Sequence, residues 1–145
     1  MNLARGPRPW SVQTSVALLL ACASVRLAQR LSSAADYGAV WHGWIALGIP
    51  AWDMGVIGAS TLFTIACIPP TLLWFRASRL ARALIGVMAA GWLVMPSGPI
   101  GSWAELLPVD VALSILPLVA FALLLTPSAH RWLGSRGVRA EKGVA

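Results

Sequence analysis

Four long apolar runs, at about residues 10–31, 53–75, 77–95 and 108–126, limit what this chain can fold into. An α-helix needs about 20 mostly apolar residues to cross the roughly 30 Å hydrocarbon core of a bilayer, and each run approaches or exceeds that length. Of the 145 residues 58% are hydrophobic and 11% are charged, against about 45–50% and about 25% in a soluble domain. The expected fold is all-α: an integral membrane four-helix bundle, residues 1–133 forming a single four-span domain. No room is left for a separate soluble domain. Residues 134–145 are rich in Gly, Arg and Ala and read as a disordered cytoplasmic tail.

The first run also has the look of a signal peptide, with a basic start, a Leu18-Leu19-Leu20 core and a small Ala21-Cys22-Ala23 triplet. Leu19-Leu20-Ala21-Cys22 is a loose lipobox. A retained helix fits better, because the run is long enough to span and ends in Gln29 and Arg30 rather than in turn residues. Between the first two spans, residues 33–50 open polar and turn aromatic at Tyr37, Trp41 and Trp44, with Gly38, Gly43, Gly48 and Pro50 as interruptions. Trp and Tyr favour headgroup depth, so a short interfacial segment is expected there.

Charge sets the orientation. Net charge is +6, from eleven basic residues and five acidic ones. The basic residues lie at the ends of the apolar runs, which points to the phospholipid surface and away from nucleic acid. With four spans, Arg5, Arg8, Arg76, Arg79, Arg82, Arg131, Arg136, Arg139 and Lys142 share one side, with Glu141 as its one acid. Arg26 and Arg30 share the other with Asp36, Asp53, Glu105 and Asp110. Basic loops stay in the cytoplasm, so both termini are expected inside. Trp10, Trp74 and Trp132 then form an inner belt, and Trp41, Trp44, Trp52 and Trp103 an outer one. The heavy use of Ala, Leu and Arg suggests a bacterial chain, hence the bacterial inner membrane. So strong an asymmetry argues against dual-topology multidrug transporters.

No catalytic motif is present: HExxH, GxSxG and a P-loop are all missing from the sequence. Cys22 and Cys67 lie in different spans at depths differing by roughly 8 Å at about 1.5 Å per residue, beyond the usual disulfide reach of about 7 Å. Both should stay reduced, and thiol–disulfide chemistry lacks a CxxC. His42 and His130 fall on opposite surfaces, which excludes bis-His haem within one chain. No metal and no cofactor are expected.

The polar residues inside the spans are more informative. Asp53, Ser60, Thr64, Cys67 and Thr71 recur on one face of the second span, and Asp110 and Ser114 on the fourth. A second face of the second span carries Gly55, Ala59 and Ala66, and the third span offers Ala83, Gly86 and Ala90. Small faces let helices approach closely. The polar residues are therefore either packing contacts or a substrate or ion track open near Asp53. Asp53 and Asp110 each open a helix, where a carboxylate is stabilised by the helix dipole. Alternatively they line one outer vestibule, with Arg26 or Arg30 as counter-charge and His42 as lid. Tyr37, Trp41, His42 and Trp44 are candidates for an outer aromatic pocket. Pro69, Pro70 and Pro117 free the carbonyls of Ile65, Ala66 and Leu113, which in lipid must find other partners.

These features favour a non-enzymatic accessory or assembly subunit of a larger membrane complex, with the lipid bilayer and other membrane proteins or itself as partners. A small transporter or channel protomer acting as an oligomer is the second reading. An enzyme or binder of a lipid-like or quinone-like molecule at the outer interface is the third.

Overall fold

The computed structural model describes residues 8–42, 48–76, 79–94 and 108–133. Among them every regular element is helical: α1 (Trp10–Ser32), α2 (Ala34–His42), α3 (Ala51–Arg76), α4 (Arg79–Val94), α5 (Pro108–Leu124) and α6 (Pro127–Leu133). α1 has 23 residues and α3 has 26, or about 35 and 39 Å at about 1.5 Å per residue. Both are long and apolar enough to cross a membrane. α4 and α5, with 16 and 17 residues, each reach only about 24–26 Å. α5 and α6 meet that test together, bent by 65° at the break between them. The described helices thus provide two membrane-spanning candidates, or three if the bent pair is one span.

Local chemistry sets the helix ends. The Pro9 carbonyl accepts from the Val12 and Gln13 amides at 3.0 and 3.2 Å, which starts α1. At its far end the Gln29 carbonyl accepts from the Ser33 amide and from the hydroxyls of Ser32 and Ser33. Serine hydroxyls compete for backbone carbonyls in this way, and the helix breaks at Ser33 before α2 begins. The Arg30 guanidinium lies 5.2 Å from the centre of the Tyr37 ring and braces that break. Gly48, with φ of 65°, and Pro50 lead into α3. α5 closes with short bonds from Leu125 to Ala122 and from Thr126 to Leu123. Pro127, which has no amide hydrogen, then turns the chain into α6.

The chain forms two compact units, one of Met1–Leu19 with Pro69–Ala145, the other of Leu20–Ile68. In the second unit α2 crosses α3 through reciprocal Ala-x-x-x-Gly pairs, Ala34 with Gly38 and Ala51 with Gly55. A Cβ on Gly38 would overlap the Ala51 carbonyl and lie 2.8 Å from the Gly55 nitrogen. A Cβ on Gly55 would overlap the Ala34 carbonyl and lie 3.1 Å from Ala34 Cα. Only glycine permits such backbone-to-backbone contact.

In the first unit α4 packs on α5. α4 buries Ala81, Ile85 and Ala89, and α5 buries Leu113, Ser114, Pro117, Ala120 and Leu124. The small stripe expected on α4 lies beside this contact: Ala83 and Ala90 are exposed, and Gly86 alone meets α5, at the Phe121 ring. Trp132, expected as a boundary anchor, is 9% exposed and belongs to the core of this unit.

Candidate functional site

The polar stripe of α3 turns outward. Asp53, Ser60, Thr64 and Thr71 are all exposed, as is Thr61, while Cys67 is half-buried. The opposite side of the helix carries the buried residues Met54, Gly55, Ala59, Pro69, Pro70 and Leu73. The helical period keeps the two stripes apart along the whole element. The Thr64 hydroxyl donates to the Ser60 carbonyl at 2.9 Å, so its proton is satisfied within its own helix. Its oxygen keeps acceptor capacity on the surface.

The remaining candidates fall in several places. Asp53 sits in the first turn of α3, in the second unit. Asp110 sits in the first turn of α5, in the first unit. Each position suits a carboxylate against the helix dipole. Ser114 is buried and donates to the Asp110 carbonyl at 2.8 Å. Tyr37 is half-buried beneath Arg30. Trp41 and His42 end α2, but their side chains, and the whole of Trp44, lie outside the described residues.

One end of the first unit holds features that no spacing pattern announced. Ser11 at the start of α1 meets the α5–α6 bend: its hydroxyl is 3.3 Å from that of Ser128 and accepts from Thr126 at 3.3 Å. One turn on, buried Ser15 donates to the Ala120 carbonyl at 2.8 Å. The Arg8 guanidinium lies 4.1 Å over the Trp74 ring at the end of α3, in cation–π geometry. Arg82 near the start of α4 reaches His130 on α6, Nη1 to Nδ1, at 3.2 Å. These contacts bring the start of α1, the end of α3, the start of α4 and the α5–α6 bend to a common end. The one visible signal for the hydroxyls was the Ser11–Ser15 pair, four apart on α1.

Cys22 and Cys67 are not joined in a disulfide. Among the described residues no three His, Cys, Asp or Glu side chains gather to hold a metal ion. No protein-family model matches the chain, and no curated protein and no solved structure shows significant similarity to it.

Proposed function

We propose that this chain is a small multi-pass protein of the bacterial inner membrane that works as a non-enzymatic accessory or assembly subunit, docking onto another membrane protein through α3. The outward polar face of α3 carries the proposal. An apolar helix surrounded only by lipid gains nothing from displaying Ser60, Thr61, Thr64 and Thr71, whereas small and hydroxylated residues are what contacts between membrane helices use. A substrate track inside one chain would need these groups turned inward, and they are exposed. The second reading, a transporter or channel protomer, draws on the same observation: copies meeting through α3 would enclose a hydroxyl-lined path. The test is extraction in a mild detergent followed by mass spectrometry of everything that stays bound. A stoichiometric foreign polypeptide is the expected result. A homo-oligomer would replace the leading reading with the second, and a bound lipid or quinone alone would overturn both.

The proposed orientation, both termini in the cytoplasm, is supported by the basic residues on one set of ends and the acidic ones on the other. A periplasm-active reporter fused after Ser102 is expected to be active, and reporters fused after Ser78 or Lys142 silent. The reverse pattern would overturn the orientation and the depths assigned from it.

A further inference from the structure

We infer that α1 is a permanent span whose first half is an interior element of the first unit, and that the signal-like Ala21-Cys22-Ala23 triplet within it is neither a cleavage site nor a lipid-attachment site. This depends on the membrane reading of the chain and not on the docked partner.

A leader destined for removal needs a basic start, an apolar run and small residues at the cut, and no partner in the mature protein. The stretch that cleavage would remove here is sorted into faces. Ser11, Val12, Ser15 and Val16 make two pairs four residues apart on one side of α1, exposed by only 1%, 0%, 0% and 6%. Gln13 and Ala17, on the other side, are exposed. The buried side is matched to residues far along the chain. Ser15 donates to the Ala120 carbonyl of α5 at 2.8 Å, and the Ser11 hydroxyl lies 3.3 Å from those of Ser128 and Thr126. Hydroxyls inside a membrane pair across helix contacts in this way. Arg8 closes the same end over the Trp74 ring at 4.1 Å. Residues Met1–Leu19 form one compact unit with Pro69–Ala145, in which Ala120, Leu124 and Ala129 are completely buried as well. A cut after Ala21 or Ala23 would strip that unit of one of its packed helices.

The triplet is also badly placed for processing. A peptidase acts on an extended segment that it can reach at the membrane surface. Ala21-Cys22-Ala23 is helical in the middle of α1, with Cys22 about 18 Å from Trp10 and about 15 Å from Ser32 at about 1.5 Å per residue. A lipobox thiol has to meet a phospholipid, whereas Cys22 is 5% exposed and packed in the second unit. The apolar core of a leader runs for about 7–15 residues, whereas α1 is one continuous helix of 23.

The full chain with a C-terminal affinity tag is expressed in bacterial cells, purified from the membrane and weighed intact by mass spectrometry. The expected result is one species that still carries α1, with no lipid on Cys22. A species beginning at Cys22 or at Ser24, or a lipid adduct on Cys22, would overturn the inference. Substitutions then test the interior role. Val12→Trp and Ala17→Trp both keep the run apolar, and both lie in the stretch that a peptidase would discard, so a processed protein would melt alike with either. In the retained helix Val12→Trp overpacks a completely buried position and should lower the melting temperature by about 5 °C or more. Ala17→Trp, on the exposed side, should leave it unchanged. Val12→Ala opens a cavity instead and should give a smaller loss, which keeps the comparison readable if Val12→Trp does not accumulate. Equal melts for wild type, Val12→Ala and Ala17→Trp would refute the interior role even with α1 retained.

Discussion

Placing a single methyl group on Gly38 or Gly55 is expected to break the α2–α3 crossing. Glycine to alanine normally favours a helix by about 0.8–1 kcal/mol, so a mutation that only touched propensity would stabilise. At these two positions the added Cβ runs into the backbone carbonyls of Ala51 and Ala34. A backbone cannot step aside as a side chain can, and overpacking of this kind costs about 1–3 kcal/mol or more. The sign therefore reverses. Gly91 supplies the control, since a Cβ there meets nothing within 4 Å, and Gly91→Ala should be neutral or mildly stabilising. Gly86 lies between: its Cβ would come to 2.9 Å from the edge of the Phe121 ring, and a ring can shift, so the loss should be small. Thermal melts of the four alanine variants in one detergent should rank Gly91, then Gly86, then Gly38 and Gly55 together. Equal melts for Gly38→Ala and Gly91→Ala would show that α2 and α3 do not cross as described.

The second large effect is expected on the outward side of α3. Thr64→Trp puts a bulky ring on a surface that is exposed in the single chain, so folding and membrane insertion should survive. A partner helix packed against Ser60 and Thr64 would be pushed away, because such interfaces depend on small residues and close approach. Single hydrogen bonds between membrane helices average only about 0.6 kcal/mol, so lost packing decides the outcome more than lost hydroxyl contacts. At least a tenfold fall in co-purified partner is expected from Thr64→Trp, and no change from Val87→Trp on α4. Failure of Thr64→Trp to accumulate in the membrane would mean that this face is needed inside the fold.

The helices themselves were legible. The runs read at about 10–31 and 53–75 correspond to α1 and α3, because apolar length and the serines, prolines and charges that end a helix are local properties of the chain. What packs against what was only partly legible. On α3 the small face is buried at Gly55 and Ala59 and half-buried at Ala66. On α4 two stripes compete, and Ala81–Ile85–Ala89 is buried rather than the small Ala83–Gly86–Ala90. In an apolar helix both stripes satisfy the same period, and only the shape of the neighbour, here the Phe121 ring over Gly86, chooses between them. The polar stripe of α3 shows the same limit: its spacing puts Asp53, Ser60, Thr64 and Thr71 on one face without saying which way that face turns. The Ser11–Ser128 contact joins residues 117 apart in sequence, beyond the reach of any spacing rule.

The central claim, that α3 docks onto another membrane protein through its outward polar face, is tested most directly by a photo-crosslinking residue at position 64 in living cells. Position 87, exposed on α4, serves as the comparison. The expected result is one discrete adduct from position 64, to a different polypeptide, and none from position 87. Adducts to lipid alone from both positions, or to no polypeptide from either, would contradict it.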